Sequence, residues 1–100
     1  MIERYVFIKL NADHATDAGR AAVAAHSREI FPTIPGVVGV RVGVPADEAA
    51  LRSWDISIAV QFASTDDVEP YRQHPIHLAY VNEYLAARKE VLKAWSFDVA

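Results

Sequence analysis

Trp54-Asp55-Ile56-Ser57-Ile58-Ala59-Val60-Gln61-Phe62 is the stretch that decides the fold. Large apolar residues stand at 54, 56, 58, 60 and 62, with small or polar residues between them. That is the period of two a β-strand produces by pointing successive side chains to opposite faces. On this reading the strand runs from Trp54 to Phe62 and turns one side to a core.

Working back toward the N-terminus, Val37 to Val44 reads as a β-branched strand interrupted by Gly39 and Gly43, positions suited to a bulge or a close backbone approach. The connection from Ala46 to Ser53 is polar with helical character around Asp47-Glu48-Ala49-Ala50. Before it, Asp13 to Phe31 carries Ala15, Ala18, Ala22, Ala25 and Ile30 near one helical stripe, and Pro32 and Pro35-Gly36 end that helix. Tyr5 to Leu10 is a further strand, with Val6, Ile8 and Leu10 on one face and Tyr5, Phe7 and Lys9 on the other.

Toward the C-terminus, Ser64 or Thr65 caps a short helix whose start favours the acids Asp66 and Asp67. Pro75 suits the first turn of a longer helix running to about Lys89, with Ile76, Tyr80, Tyr84 and Leu85 as its buried stripe. Val91 to Val99 closes the chain as a strand. The order is β-α-β-β-α-β, which implies an α+β, ferredoxin-like domain: a four-stranded antiparallel sheet with its helices on one face. The other face would still carry Tyr5, Phe7, Trp95 and Phe97, and a second copy of the sheet is the simplest cover for it.

One hundred residues make a single small domain, yet 52% of them are hydrophobic. A short chain with that surplus holds an apolar pocket or hides a face against another subunit. The absence of cysteine excludes disulfides, thiol nucleophiles and thiolate metal sites. A net charge of −3 without a basic cluster argues against nucleic-acid binding. Neither a signal-peptide core after Met1 nor an apolar run of membrane-spanning length is found, so a cytoplasmic protein without a membrane partner is expected.

Candidate chemistry is concentrated in Tyr71-Arg72-Gln73-His74-Pro75-Ile76-His77, which places two of the four histidines and a phenol around a rigid proline. Histidine titrates near neutrality, so Tyr71 and His77, arriving from either side of a helix corner, suit proton transfer. The same residues also suit hydrogen bonds to backbone groups left open at helix ends. His74 and His77 have a spacing that puts two ligands on one helical face, but no third ligand accompanies them, and no metal is expected. Arg4 is placed to receive an acidic group or to pair at the surface. His14 and His26 read as solvated or structural.

Together with this segment, Val6-Phe7-Ile8-Lys9-Leu10, Ile34-Pro35-Gly36-Val37, Val60-Gln61-Phe62-Ala63-Ser64 and Phe97-Asp98 resemble the stress-responsive dimeric α/β-barrel (Dabb) family over nearly the whole chain. Within it, Tyr-x-x-His-Pro-x-His is similar to the motif of the olivetolic acid cyclases. The resemblance implies a homodimer whose two sheets close into an α/β barrel. It implies a small-molecule ligand held between sheet and helices, and cofactor-free cyclase or isomerase chemistry with Tyr71 and His77 as catalytic pair. Arg4, Val6, Ile8, Ile58, Val60, Val68, His74 and Tyr80 would line the substrate site. The chain departs from the cyclases at Arg4, where they carry histidine, and at Val23, Ala24 and Ser27, where their pocket is more aromatic. A non-catalytic, stress-related barrel binding an apolar ligand is the alternative.

Overall fold

The computed structural model describes residues 1–99. Four strands, β1 (Ile2–Leu10), β2 (Gly39–Gly43), β3 (Ile56–Phe62) and β4 (Lys89–Asp98), form one sheet in the order β2-β3-β1-β4. Every neighbouring pair is antiparallel. Four α-helices connect them: α1 (Asp17–Ile30), α2 (Glu48–Ser53), α3 (Val68–Gln73) and α4 (Pro75–Ala79). This is the ferredoxin-like arrangement expected from the order of elements.

The register assigns the faces. Val6 lies opposite Ile58 and Ala94, and Ile8 opposite Ile56 and Leu92, so even-numbered residues of β1, β3 and β4 share one side. Ile2, Val6, Ile8, Leu10, Ile56, Ile58, Val60 and Phe62 are buried there with Val23 and Ala24 of α1, Phe31, Ile34, Tyr71, Tyr80 and Leu85. Each fully buried aliphatic side chain contributes about 1.5–3 kcal/mol. On the opposite side the sheet is uncovered: Trp95 and Phe97 are 51% and 55% exposed, beside Tyr5 and Phe7, which they meet at ring-centroid distances of 5.7 Å (Tyr5–Phe97) and 6.5 Å (Phe7–Trp95).

Several boundaries differ from the sequence reading for identifiable reasons. The period-two pattern overshoots at Trp54: its N–H bonds to Ala50 O as the C-cap of α2, and its ring meets Phe7 on the uncovered face, 5.7 Å away. Asp55 is a buried anchor, accepting from the Leu10 N–H at 2.8 Å and from Arg20 at 3.1 Å. That tie turns a different stripe of α1 inward. Val23, Ala24 and Ser27 are buried, while Ala15, Ala18, Ala22 and Ala25 are exposed. The last helical region does not continue to Lys89. Beyond α4 the chain widens into a π-helical turn, Tyr80–Leu85, and β4 begins at Lys89. The Ile34-Pro35-Gly36-Val37 turn closes with Val37 N–H on Ile34 O, and Gly36 supplies the required positive φ of 93°.

Candidate functional site

Two short helices meeting at His74 build the corner. Ser64 accepts from the Asp66 N–H to start a 3-10 turn that leads into α3. His74 leaves the helical region with ψ 138°, as residues before proline do, and its Nδ1 accepts from the Ile76 N–H at 3.1 Å, capping α4. With that nitrogen used as an acceptor, His74 holds the corner in shape. Pro75 occupies the first position of α4, where no N–H is needed.

The fold brings Tyr71 and His77 together. Their ring centroids are 4.5 Å apart, and Tyr71 is pressed edge-on against Phe62 at 4.9 Å. His77 Nδ1 lies 3.0 Å from Arg72 O. A carbonyl only accepts, so Nδ1 carries the hydrogen and Nε2 keeps its lone pair. Burial lowers the His77 pKa below the ordinary histidine value, partly offset by that hydrogen bond, with Arg4 and Arg72 lowering it further. The imidazole is therefore a neutral base at pH 7. Tyr71 is 1% exposed, and burial raises its pKa, so the phenol is a proton-bearing donor. Its hydroxyl has no hydrogen-bond partner among the described residues, yet it is not a fully enclosed polar atom. The residue's remaining accessibility thus includes that hydroxyl.

Tyr80 is a second buried phenol with the opposite status. Ser27 Oγ donates to Val23 O at 2.7 Å, so the 2.6 Å contact with Tyr80 must have the phenol as donor. Burial raises the Tyr80 pKa to about 12, the Ser27 bond opposing the rise. Tyr80 thus fastens the π-helical turn to α1. Its partner sits 53 residues away, which no local pattern in the sequence signals.

Of the other predicted lining residues, Val6, Ile8, Ile58 and Val60 stand in the packed core at 7% exposure or less, and Val68 packs against its edge. Five surface depressions formed by the described residues have linings that include neither Tyr71 nor His77. An apolar hollow of about 550 Å³ lies instead on the outer side of α1 and α4, lined by His26, Ile30, Ile76, Tyr80 and Tyr84 among others. There His26 stacks on Tyr84 at 4.0 Å, and Arg88 covers the Tyr84 ring at 3.9 Å. His14 bonds Asn11 near the helix start. Arg4 sits on the helix-facing side of β1, across from Val60 and Ser96, and donates to Ser96 Oγ at 3.1 Å. Among the described residues no group of three or more metal-ligating side chains is found, and no helix is long and apolar enough to cross a membrane.

A family model described as Stress responsive A/B Barrel Domain matches residues 2–99. Solved structures share the fold at low identity. A Dabb family protein from Mesorhizobium loti with a ferredoxin-like fold is 18% identical, with a TM-score of 0.81 over 99% of this chain and 96% of its own. A dimeric ferredoxin-like protein of unknown function from Bacteroides fragilis is 24% identical, with a TM-score of 0.76 over 98% and 95%. Another, from Thermobifida fusca, is 18% identical with a TM-score of 0.78 over 98% and 90%. A comparison with curated proteins finds no match.

Proposed function

This chain belongs to the stress responsive A/B barrel domain family, and we propose that it works as a homodimeric barrel that binds a small polyketide-like or phenolic substrate. On that substrate it acts as a cofactor-free cyclase or isomerase, in the manner of the olivetolic acid cyclases, within the cytoplasm. The dimer is supported by the uncovered aromatic sheet face and by the dimeric state of the Bacteroides and Thermobifida proteins. A cysteine-free chain suits a reducing compartment.

The observation that carries the catalytic reading is the Tyr71–His77 pair: a buried phenol with an unpartnered hydroxyl against an imidazole whose Nε2 is left free. In this mechanism His77 Nε2 removes a proton from carbon next to a carbonyl, and the C–H electron pair becomes an enolate. The Tyr71 hydroxyl donates to the enolate oxygen. For a cyclase, the enolate carbon then attacks a second carbonyl of the same molecule, and the new alkoxide recovers the proton from His77. A positioned base contributes roughly 10²–10⁴-fold, and tethering both carbonyls in one molecule removes the cost of bringing them together. The test is to incubate the protein with β-polyketo and phenolic acids and follow ring closure or isomerisation by mass spectrometry and absorbance. Turnover that falls at least 100-fold in both Tyr71→Phe and His77→Ala supports the assignment. Turnover unchanged in both refutes it.

The second reading is a non-catalytic barrel that binds a small apolar ligand. The closed packing around Val6, Ile8 and Val60, and the outer apolar hollow beside Tyr80 and Tyr84, favour it. Ligand binding that survives Tyr71→Phe and His77→Ala but is lost in Tyr84→Ala would select this reading.

A further inference from the structure

Arg4 stands apart from the chain's other arginines. Arg20, Arg41, Arg52 and Arg72 each pair with a carboxylate, Arg28 donates to Val42 O, and Arg88 donates to Tyr84 O while covering its ring. Among the described residues Arg4 meets only the Ser96 hydroxyl. Yet it is half-buried, and burial is the main cause that lowers its pKa. The nearby titratable groups are Tyr71, Arg72, Glu69 and His77. Glu69 is already engaged, by Arg72 at 3.0 Å and Gln73 at 3.0 Å. A guanidinium partly withdrawn from water without a counter-ion is costly, and an anion placed against it removes that cost.

The surroundings add to the case. Arg4 lies close enough to act electrostatically on both Tyr71 and His77, while Arg72 at the same corner is already paired with Glu69. The phenol and the neutral imidazole carry no negative charge. This leaves the one positive charge of Arg4 uncompensated, and the free donors there are its remaining guanidinium N–H groups and the Tyr71 hydroxyl. A planar guanidinium fork matches a carboxylate in two parallel hydrogen bonds, a geometry that a neutral carbonyl cannot use as well.

We propose that the Tyr71–His77 site takes a ligand bearing a carboxylate, and that Arg4 is the residue that receives it. The inference rests on the reading of that pair as ligand-facing and names the substrate class for it: an organic acid, held by its carboxylate at Arg4 with its reacting carbons toward His77 Nε2. Arg4 then sets which ligands enter, while Tyr71 and His77 act on them.

The experiment compares 4-hydroxybenzoate with 4-hydroxybenzamide, which share a shape and differ in charge, by calorimetry and by NMR of the His77 imidazole at pH 7.5. The full-length protein should bind the benzoate at least tenfold more tightly than the amide and shift the His77 signal. That preference should shrink as sodium chloride rises. In Arg4→Gln the two affinities should fall within twofold of each other, and Arg4→Lys should retain part of the preference. Equal affinity of both probes at the His77 site in the unmutated protein overturns the carboxylate assignment and leaves the ligand-site reading standing. So does a preference that persists in Arg4→Gln. Absence of any His77 shift with either probe overturns both. The salt series and the probe comparison decide the question even if Arg4→Gln folds poorly.

Discussion

Removing one oxygen from each of the two buried phenols should change stability in opposite directions. In Tyr80→Phe the lost hydroxyl is the donor to Ser27 Oγ at 2.6 Å, while Ser27 keeps its own bond to Val23 O. The net worth of such a bond is about 0.5–1.5 kcal/mol, so Tyr80→Phe should be destabilised by about 1 kcal/mol. In Tyr71→Phe the lost hydroxyl has no partner among the described residues, on a side chain 1% exposed. An unsatisfied buried hydroxyl costs about 1–3 kcal/mol, reduced here because the oxygen is not fully enclosed. Its removal should therefore be neutral or stabilising by up to about 1 kcal/mol. For a 100-residue domain each kcal/mol moves Tm by roughly 4–8 °C. The two variants should thus separate by about 4–16 °C, with Tyr71→Phe the more stable although it is the one expected to lose activity. Thermal and urea unfolding followed by circular dichroism measure this, at equal protomer concentration because the proposed dimer would couple Tm to concentration. Equal destabilisation of both variants would mean that the Tyr71 hydroxyl holds the structure together, and the catalytic reading would lose its main support.

Three further outcomes are expected. Asp55→Ala strips the acceptor from the buried Leu10 N–H and one of two carboxylates from Arg20, which keeps Asp17, and should lower unfolding free energy by about 1–3 kcal/mol in urea melts; a loss under about 0.5 kcal/mol would show the anchor to be dispensable. Light scattering at micromolar concentration should give a dimer mass for the unmutated chain and a monomer mass for Trp95→Glu, since the change puts a charge in the uncovered aromatic face; a monomer mass for the unmutated chain refutes the paired sheets. His77 has a folded pKa below its unfolded value, so as pH falls through 6.5 the unfolded chain binds the proton first. Stability should decline with acidification from near pH 6.5 down to the folded pKa, and His77→Gln should flatten that slope. Identical slopes in both proteins would contradict the burial assigned to the imidazole.

Much of this arrangement is legible residue by residue. The alternation from Ile56 to Phe62 identifies a half-buried strand because a pleated backbone leaves no other way to sort those side chains. Pro35-Gly36 specifies its turn because only glycine adopts φ near +93° without strain. Tyr71 and His77 lie close together in sequence across a proline, so a short-range corner was enough to predict their meeting. The alanine stripe of α1 misled because periodicity ranks faces by apolarity alone. A buried Arg20–Asp55 pair and the Ser27–Tyr80 bond, both between distant segments, rotate the helix so that Val23 and Ser27 face inward.

By itself, then, the sequence determined the order of elements, the antiparallel sheet with one helical face, the apolar second face and the meeting of Tyr71 and His77 at one corner. These follow from local periodicity and turn chemistry, which act over a few residues. Only the tertiary structure decided which polar groups are satisfied and which are left over. It gave His74 to the helix cap, fastened Tyr80 to Ser27, closed the core around Val6, Ile8 and Val60, and left the Tyr71 hydroxyl, His77 Nε2 and the Arg4 guanidinium without carboxylate or backbone partners among the described residues. Hydrogen-bond satisfaction depends on contacts between segments tens of residues apart, which no window of sequence contains.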